Sequence, residues 1–224
     1  MSDSISELAI LPTCLEDISL LATSDDYVIL HKPAGLLTVP GRHPANHDCA
    51  ISRLQRHFPI ASVVHRLDFD TSGVMVFALN KASHRHIAMQ FQARTTHKCY
   101  TAIVAGQLSN NTGEIDLPIA PDPLRRPRYK VCQQQGKNAV TRYEVLSYDA
   151  EQNTSRLYLY PVTGRSHQLR LHLSAIGHPI LGCAFYADEL WQSAAPRLLL
   201  HATRLGFQAP GTGEYVEYFC DCPF

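Results

Sequence analysis

The sequence predicts an α+β fold, a mixed and largely antiparallel β-sheet flanked by helices. Three observations carry this. Segments rich in β-branched and aromatic residues recur along the chain, at 27–30, 99–104, 140–146, 156–160, 204–208 and 215–220. Helical patterns fall between them irregularly. Only one clear strand–helix–strand alternation appears, whereas a doubly wound parallel sheet would repeat it throughout.

In chain order, residues 1 to about 24 show weak periodicity and predict a tail packed loosely on the body. Tyr27-Val28-Ile29-Leu30 predicts a buried strand, and Pro33 and Gly35 mark the turn after it. A loop runs to about Cys49. Residues 51–58 predict a short helix stopped by Pro59, and Val74 to Leu79 is an apolar run suited to a buried strand. Asn80 is placed to cap the next helix, whose apolar stripe is Ile87, Ala88 and Phe91 and whose polar side holds His84, Arg85, Gln90 and Arg94. Residues 166–176 predict a second helix with Leu169, Leu173 and Ile176 buried, ended by Gly177 and Pro179.

Composition bounds the class. The 224 residues suit one domain, 26–224, behind an N-terminal tail, 1–25. Hydrophobic residues at 45% and charged residues at 18% argue against disorder. Lys plus Arg and Asp plus Glu number 20 each, so no global basic field marks the chain as a nucleic-acid binder. A basic face remains possible, because binding responds to local charge. No stretch approaches the roughly 20 apolar residues of a membrane helix, and Met1 to Ile10 lacks the basic start of a signal peptide. No membrane partner is expected. Seven scattered cysteines fit a reducing, cytoplasmic setting, and Cys220-x-Cys222 reads as two reduced structural thiols. The 12 histidines show no metal-ligand spacing, and no P-loop, dinucleotide glycine pattern or G-x-S-x-G elbow is present.

Residues 65–73 read His-Arg-Leu-Asp-Phe-Asp-Thr-Ser-Gly, a charged nonapeptide between the apolar stretches 61–64 and 74–79. A carboxylate there would lie near the interior, where ionising it requires a partner. Residue types alone do not separate a structural Arg–Asp pair from chemistry. If Asp68 is a nucleophile it must be charged, accessible and fixed in direction, and burial opposes the first of these unless a guanidinium stands beside it. Arg66, Arg165 and Arg170 are the candidates. Between Arg125 and Lys130, the loop holds Arg125, Arg126, Arg128 and Lys130 with Pro127 and Tyr129 interleaved, a pattern equally suited to a solvated loop or to phosphates.

The nonapeptide resembles the H-R-L-D-x-x-T-S-G signature of the RluA-type pseudouridine synthases at every fixed letter. Three further segments are similar to that family's in the same order: Lys32-Pro33-Ala34-Gly35-Leu36, Lys98-Cys99-Tyr100-Thr101-Ala102, and Gly164-Arg165-Ser166-His167-Gln168-Leu169-Arg170-Leu171-His172. Leu198 to Ala202 resembles the family's pocket-lining L-L-H-A stretch. The resemblance covers residues 26 to 209. It implies the pseudouridine synthase fold with its active-site cleft across the sheet, and it assigns catalytic roles to Asp68, Tyr100 and Arg170. By the same resemblance Asp68 is the nucleophile, or the base that starts elimination at the sugar. Arg170 keeps it charged, Tyr100 stacks on the uracil, and Arg66 fills the space a flipped base vacates. Lys32, Arg125, Arg126, Arg128, Lys130, Arg165 and His167 are the expected RNA-binding residues. Asp70 falls at a variable position and reads as a turn residue.

Pseudouridine formation breaks the N1–C1′ bond, turns the base, and joins C5 to C1′, and no metal or cofactor is expected. The target must leave its stack, which costs a few kcal/mol and least in a loop, so a hairpin loop of RNA is the expected partner. Many relatives carry an added S4 domain, for which the front of this chain is too short. That resembles the compact subgroup modifying 23S ribosomal RNA and, in its name-giving member, a transfer RNA anticodon stem-loop. A monomer is expected. Two alternatives remain at this point: a non-catalytic module binding RNA hairpins, and a magnesium-dependent aspartyl phosphatase suggested by Asp68-Phe69-Asp70.

Overall fold

The computed structural model describes residues 9–224. Its elements in chain order are β1 (Ser19–Thr23), β2 (Tyr27–Lys32), α1 (Ala50–Leu54), β3 (Ser62–Val63), β4 (Ser72–Ala78), α2 (Lys81–Ala93), β5 (His97–Ala105), β6 (Thr112–Asp116), β7 (Ile119–Pro121), β8 (Tyr129–Val131), β9 (Val140–Asp149), β10 (Thr154–Pro161), α3 (Gln168–Ala175), α4 (Glu189–Ser193), β11 (Leu200–Gln208) and β12 (Tyr215–Phe219). Strands dominate and helices are few, which is the predicted α+β class. The chain divides into two compact units, one comprising 1–97 and 204–221, the other 98–203 and 222–224.

In the first unit β2 is the axis. It pairs antiparallel with β1 on one side and β4 on the other, while β3 pairs with the end of β4 and β12 with the second half of β11. All seven residues of β4 are buried, as its continuous apolar sequence demands of a strand covered on both faces. Asn80 caps α2 as predicted, its side chain accepting the Ser83 amide at 2.8 Å. Gln90 departs from its predicted polar face. It is buried because its carboxamide exchanges two hydrogen bonds with the Gln208 backbone, at 2.8 and 2.9 Å.

Residues 19–23 form a strand where a loose tail was expected. Its outward residues stay exposed, and pairing with β2 rather than apolar burial holds it. Residues 1–8 of that tail lie outside the described residues.

In the second unit the antiparallel order is β5, β10, β9, β6. Ala102 and Val104 of β5, Leu157 and Leu159 of β10, and Leu169 and Leu173 of α3 meet in its core. Ile176, expected to be buried, is 37% exposed, since α3 ends at Ala175 and Ile176 is only its cap. The short strands β7 and β8 pair with each other and frame the 122–128 loop.

Candidate active site

The Asp68 loop lies in the first unit, and buried backbone bonds grip it on both sides of the aspartate. Thr38 is 3% exposed, and its hydroxyl donates to the Leu67 carbonyl at 2.9 Å while accepting the Leu67 amide at 3.2 Å. Past the aspartate, the Phe69 carbonyl accepts the Gly35 amide at 2.9 Å, and the Thr71 amide returns to the Asp68 carbonyl at 3.2 Å. Gly35 turns with φ +71, a backbone region that favours glycine, which is why the Pro33-Ala34-Gly35 turn can meet this loop. Leu67 and Thr71 are buried, yet Asp68 between them is half-exposed. The backbone is therefore fixed while Asp68 itself is only partly buried, the arrangement a nucleophile needs.

Lys32 requires correction as a phosphate ligand. It is fully buried, and its ammonium donates to the carbonyls of Pro33 at 2.8 Å, Leu36 at 2.6 Å and Phe69 at 3.2 Å. A buried ammonium needs such acceptors, and here they tie the turn to the loop bearing Asp68. Position on β2 was the available signal, because Lys32 shares a face with Val28 and Leu30. His65 stacks on Phe91 at 4.5 Å and its Nε2 accepts the Val76 amide, leaving the next residue, Arg66, exposed.

Tyr100 and Arg170 lie in the second unit. Tyr100 is half-buried on β5, in line with Ala102 and Val104 and packed against the core at its margin. Arg170 is 2% exposed on α3. Its Nε donates to Cys183 Sγ at 3.4 Å, and its guanidinium lies 5.0 Å from the Phe185 ring centre and 5.8 Å from that of Tyr186. A thiol and two aromatic faces are thus among the partners of this buried guanidinium.

A buried polar network fixes α3. Gln168 accepts from the Thr163 hydroxyl and the Arg165 amide, and it donates to the Val140 carbonyl and the Thr141 hydroxyl. His172, fully buried, joins Thr141 Oγ1 at 3.0 Å through Nδ1 and the Leu117 carbonyl at 2.9 Å through Nε2. The carbonyl only accepts, so Nε2 carries the proton and Nδ1 accepts from Thr141. Burial holds the imidazole below its ordinary pKa, against the opposing pull of the Leu117 carbonyl and Asp116.

The cationic loop is shaped by Asp122. Its carboxylate accepts the Leu124 amide at 3.2 Å and Arg125 Nε at 2.9 Å, and its amide donates to the Arg128 carbonyl. Burial pushes this carboxyl up, but the Arg125 and Leu124 bonds outweigh it and hold it below the usual range. Arg125, Arg126 and Lys130 are exposed, and Arg128 is half-exposed. Arg165 donates Nε to the Asn138 carbonyl at 3.1 Å. His167 is half-buried, stacked on Phe185, with Nδ1 2.8 Å from the Tyr186 hydroxyl. Two contributions escaped sequence reasoning: Thr38, which carried no motif signal, and the Cys183-Phe185-Tyr186 turn around Arg170. All seven cysteines are free thiols, and among the described residues no group of three or more His, Cys, Asp or Glu is placed to hold a metal ion.

Comparison with known proteins gives this fold and this loop a family. Residues 26–175 match the family model described as RNA pseudouridylate synthase, and the chain belongs to that family of enzymes, which isomerise uridine to pseudouridine in RNA. It is 47% identical over 205 residues to the dual-specificity RNA pseudouridine synthase RluA of Escherichia coli K12, covering 92% of this chain and 93% of that one. It is 45% identical over 201 residues to the RluA of Pasteurella multocida, covering 90% and 91%. Among solved structures, human RNA pseudouridylate synthase domain containing 1 aligns with a TM-score of 0.79 at 31% identity, over 95% of this chain and 86% of that one. The human domain containing 4 protein aligns at 0.74 and 27% identity, over 91% and 88%.

Proposed function

We propose that this chain isomerises uridines in hairpin loops of two RNAs, 23S ribosomal RNA and a transfer RNA anticodon stem-loop, with Asp68 as nucleophile or base. The observation that carries the reading is the Asp68 loop, pinned at Leu67 and at Phe69 while Asp68 itself is only partly buried. In this reading Arg170 has the role of the cation that keeps Asp68 ionised. Tyr100 stacks on the uracil, and Arg66 enters the space the base leaves. The exposed cations Arg125, Arg126 and Lys130, with Arg128, Arg165 and His167, hold the flanking phosphates. Residues 26–224 act as one catalytic domain, as a monomer in the cytoplasm. Likeness to relatives named dual-specificity supports the two substrates.

The test incubates purified protein, free of added metal or cofactor, with unmodified ribosomal RNA and transfer RNA, and maps pseudouridine chemically. Product in both RNAs at loop uridines is expected. Product in one RNA only would overturn the dual assignment, and product confined to paired stems would overturn the hairpin-loop substrate.

A further inference from the structure

In the second unit Phe185 stands between two arginines. Its ring centre is 5.0 Å from the Arg170 guanidinium and 5.7 Å from that of Arg128, and His167 stacks on it at 5.5 Å. Beside it, the Tyr186 hydroxyl accepts the Tyr129 amide at 2.8 Å and meets His167 Nδ1 at 2.8 Å. The turn carrying both rings is fixed at Gly182, whose φ of +72 and contact with the Arg197 carbonyl leave no room for a side chain. An unbroken set of contacts thus joins the cationic 122–130 loop to Arg170.

From this geometry we infer that Phe185 is a positioning residue that couples the loop's grip on an RNA phosphate to the seating of Arg170. Both guanidinium groups are attracted to its π-face, Arg170 from the interior and Arg128 from the half-exposed loop. A phosphate bound by Arg128 fixes that guanidinium against the ring, and the ring so held keeps Arg170, already seated against it, in place more firmly. The inference rests on the reading of Arg170 as the cation serving Asp68.

The test measures single-turnover rate and RNA affinity on one stem-loop substrate for Phe185→Leu, Phe185→Trp, Arg128→Ala and the Phe185→Leu/Arg128→Ala pair, with Arg170→Lys as control. Phe185→Leu keeps bulk but loses the π-face, and its rate should fall about ten-fold with affinity changed less than about two-fold. Phe185→Trp should restore the rate. Arg128→Ala should slow the native protein yet add no further rate loss in the Phe185→Leu background. Should Phe185→Leu fail to fold, Phe185→Met takes its place. Equal rates for the Leu and Trp variants, or additive losses in the pair, would overturn the inference. A full rate for Arg170→Lys would instead overturn the reading of Arg170 beneath it.

Discussion

Replacing Lys32 by methionine separates a structural lysine from a phosphate-binding one. The substitution nearly preserves length while removing an ammonium that donates to the Pro33, Leu36 and Phe69 carbonyls from a fully buried position. Hydrogen bonds from a charged donor contribute about 1.5–3 kcal/mol each. Burying the ammonium costs several kcal/mol, and methionine avoids that cost. Phe69 keeps the Gly35 amide, whereas Pro33 and Leu36 lose the lysine donor. The balance is a net destabilisation of about 2–4 kcal/mol, read as a lower urea midpoint at unchanged slope. Because Phe69 adjoins Asp68, a shift of 1 Å in the loop would slow turnover by about 100-fold. RNA affinity should stay within about two-fold of native, since no phosphate contact is lost. A variant as stable and as fast as the native protein but weaker on RNA, with a shallower salt dependence, would refute this account of Lys32.

Thr38→Val removes the hydroxyl bonding both backbone groups of Leu67 and should cost about 1–3 kcal/mol with a fall in kcat larger than any rise in KM; an unchanged kcat would show that Leu67 needs no such grip. His172 has a folded pKa below its unfolded value, so the unfolded chain takes up the proton first on acidification. Its contribution is therefore present above about pH 6.5 and is lost as pH falls below that value. Urea midpoints measured from pH 7.5 to 5.5 should decline less steeply in His172→Gln than in the native protein, and parallel slopes would count against the buried neutral imidazole. Arg126→Ala should lower the slope of log affinity against log salt by about 1, whereas Arg125→Ala, already paired with Asp122, should lower it less; equal slopes for both would show that the Asp122 bond does not compete with RNA.

The Asp68 loop was legible because its information is local: a charged nonapeptide between two apolar runs, with Thr71, Ser72 and Gly73 leading into β4. The Asn80 cap and the principal strands were legible for the same reason. What remained hidden depends on partners distant in sequence. β1 has exposed residues on four of its five positions, so no alternation announces it, and only the β2 ladder makes it a strand. Lys32 looks like a surface cation until three carbonyls surround it, and Gln90 looks solvent-facing until Gln208 arrives from 118 residues away. The hold on Arg170 by Cys183, Phe185 and Tyr186 follows from a turn whose residues carry no motif.

The central claim, that the Asp68 carboxylate performs the isomerisation, is tested most directly by tritium release from RNA labelled at C5 of uridine, the position whose hydrogen is displaced when C5 joins C1′. With chelator present, the native protein should release tritium from a loop uridine, and Asp68→Asn should bind the same RNA with equal affinity while releasing none above background. Release by the asparagine variant at the native rate would contradict the account.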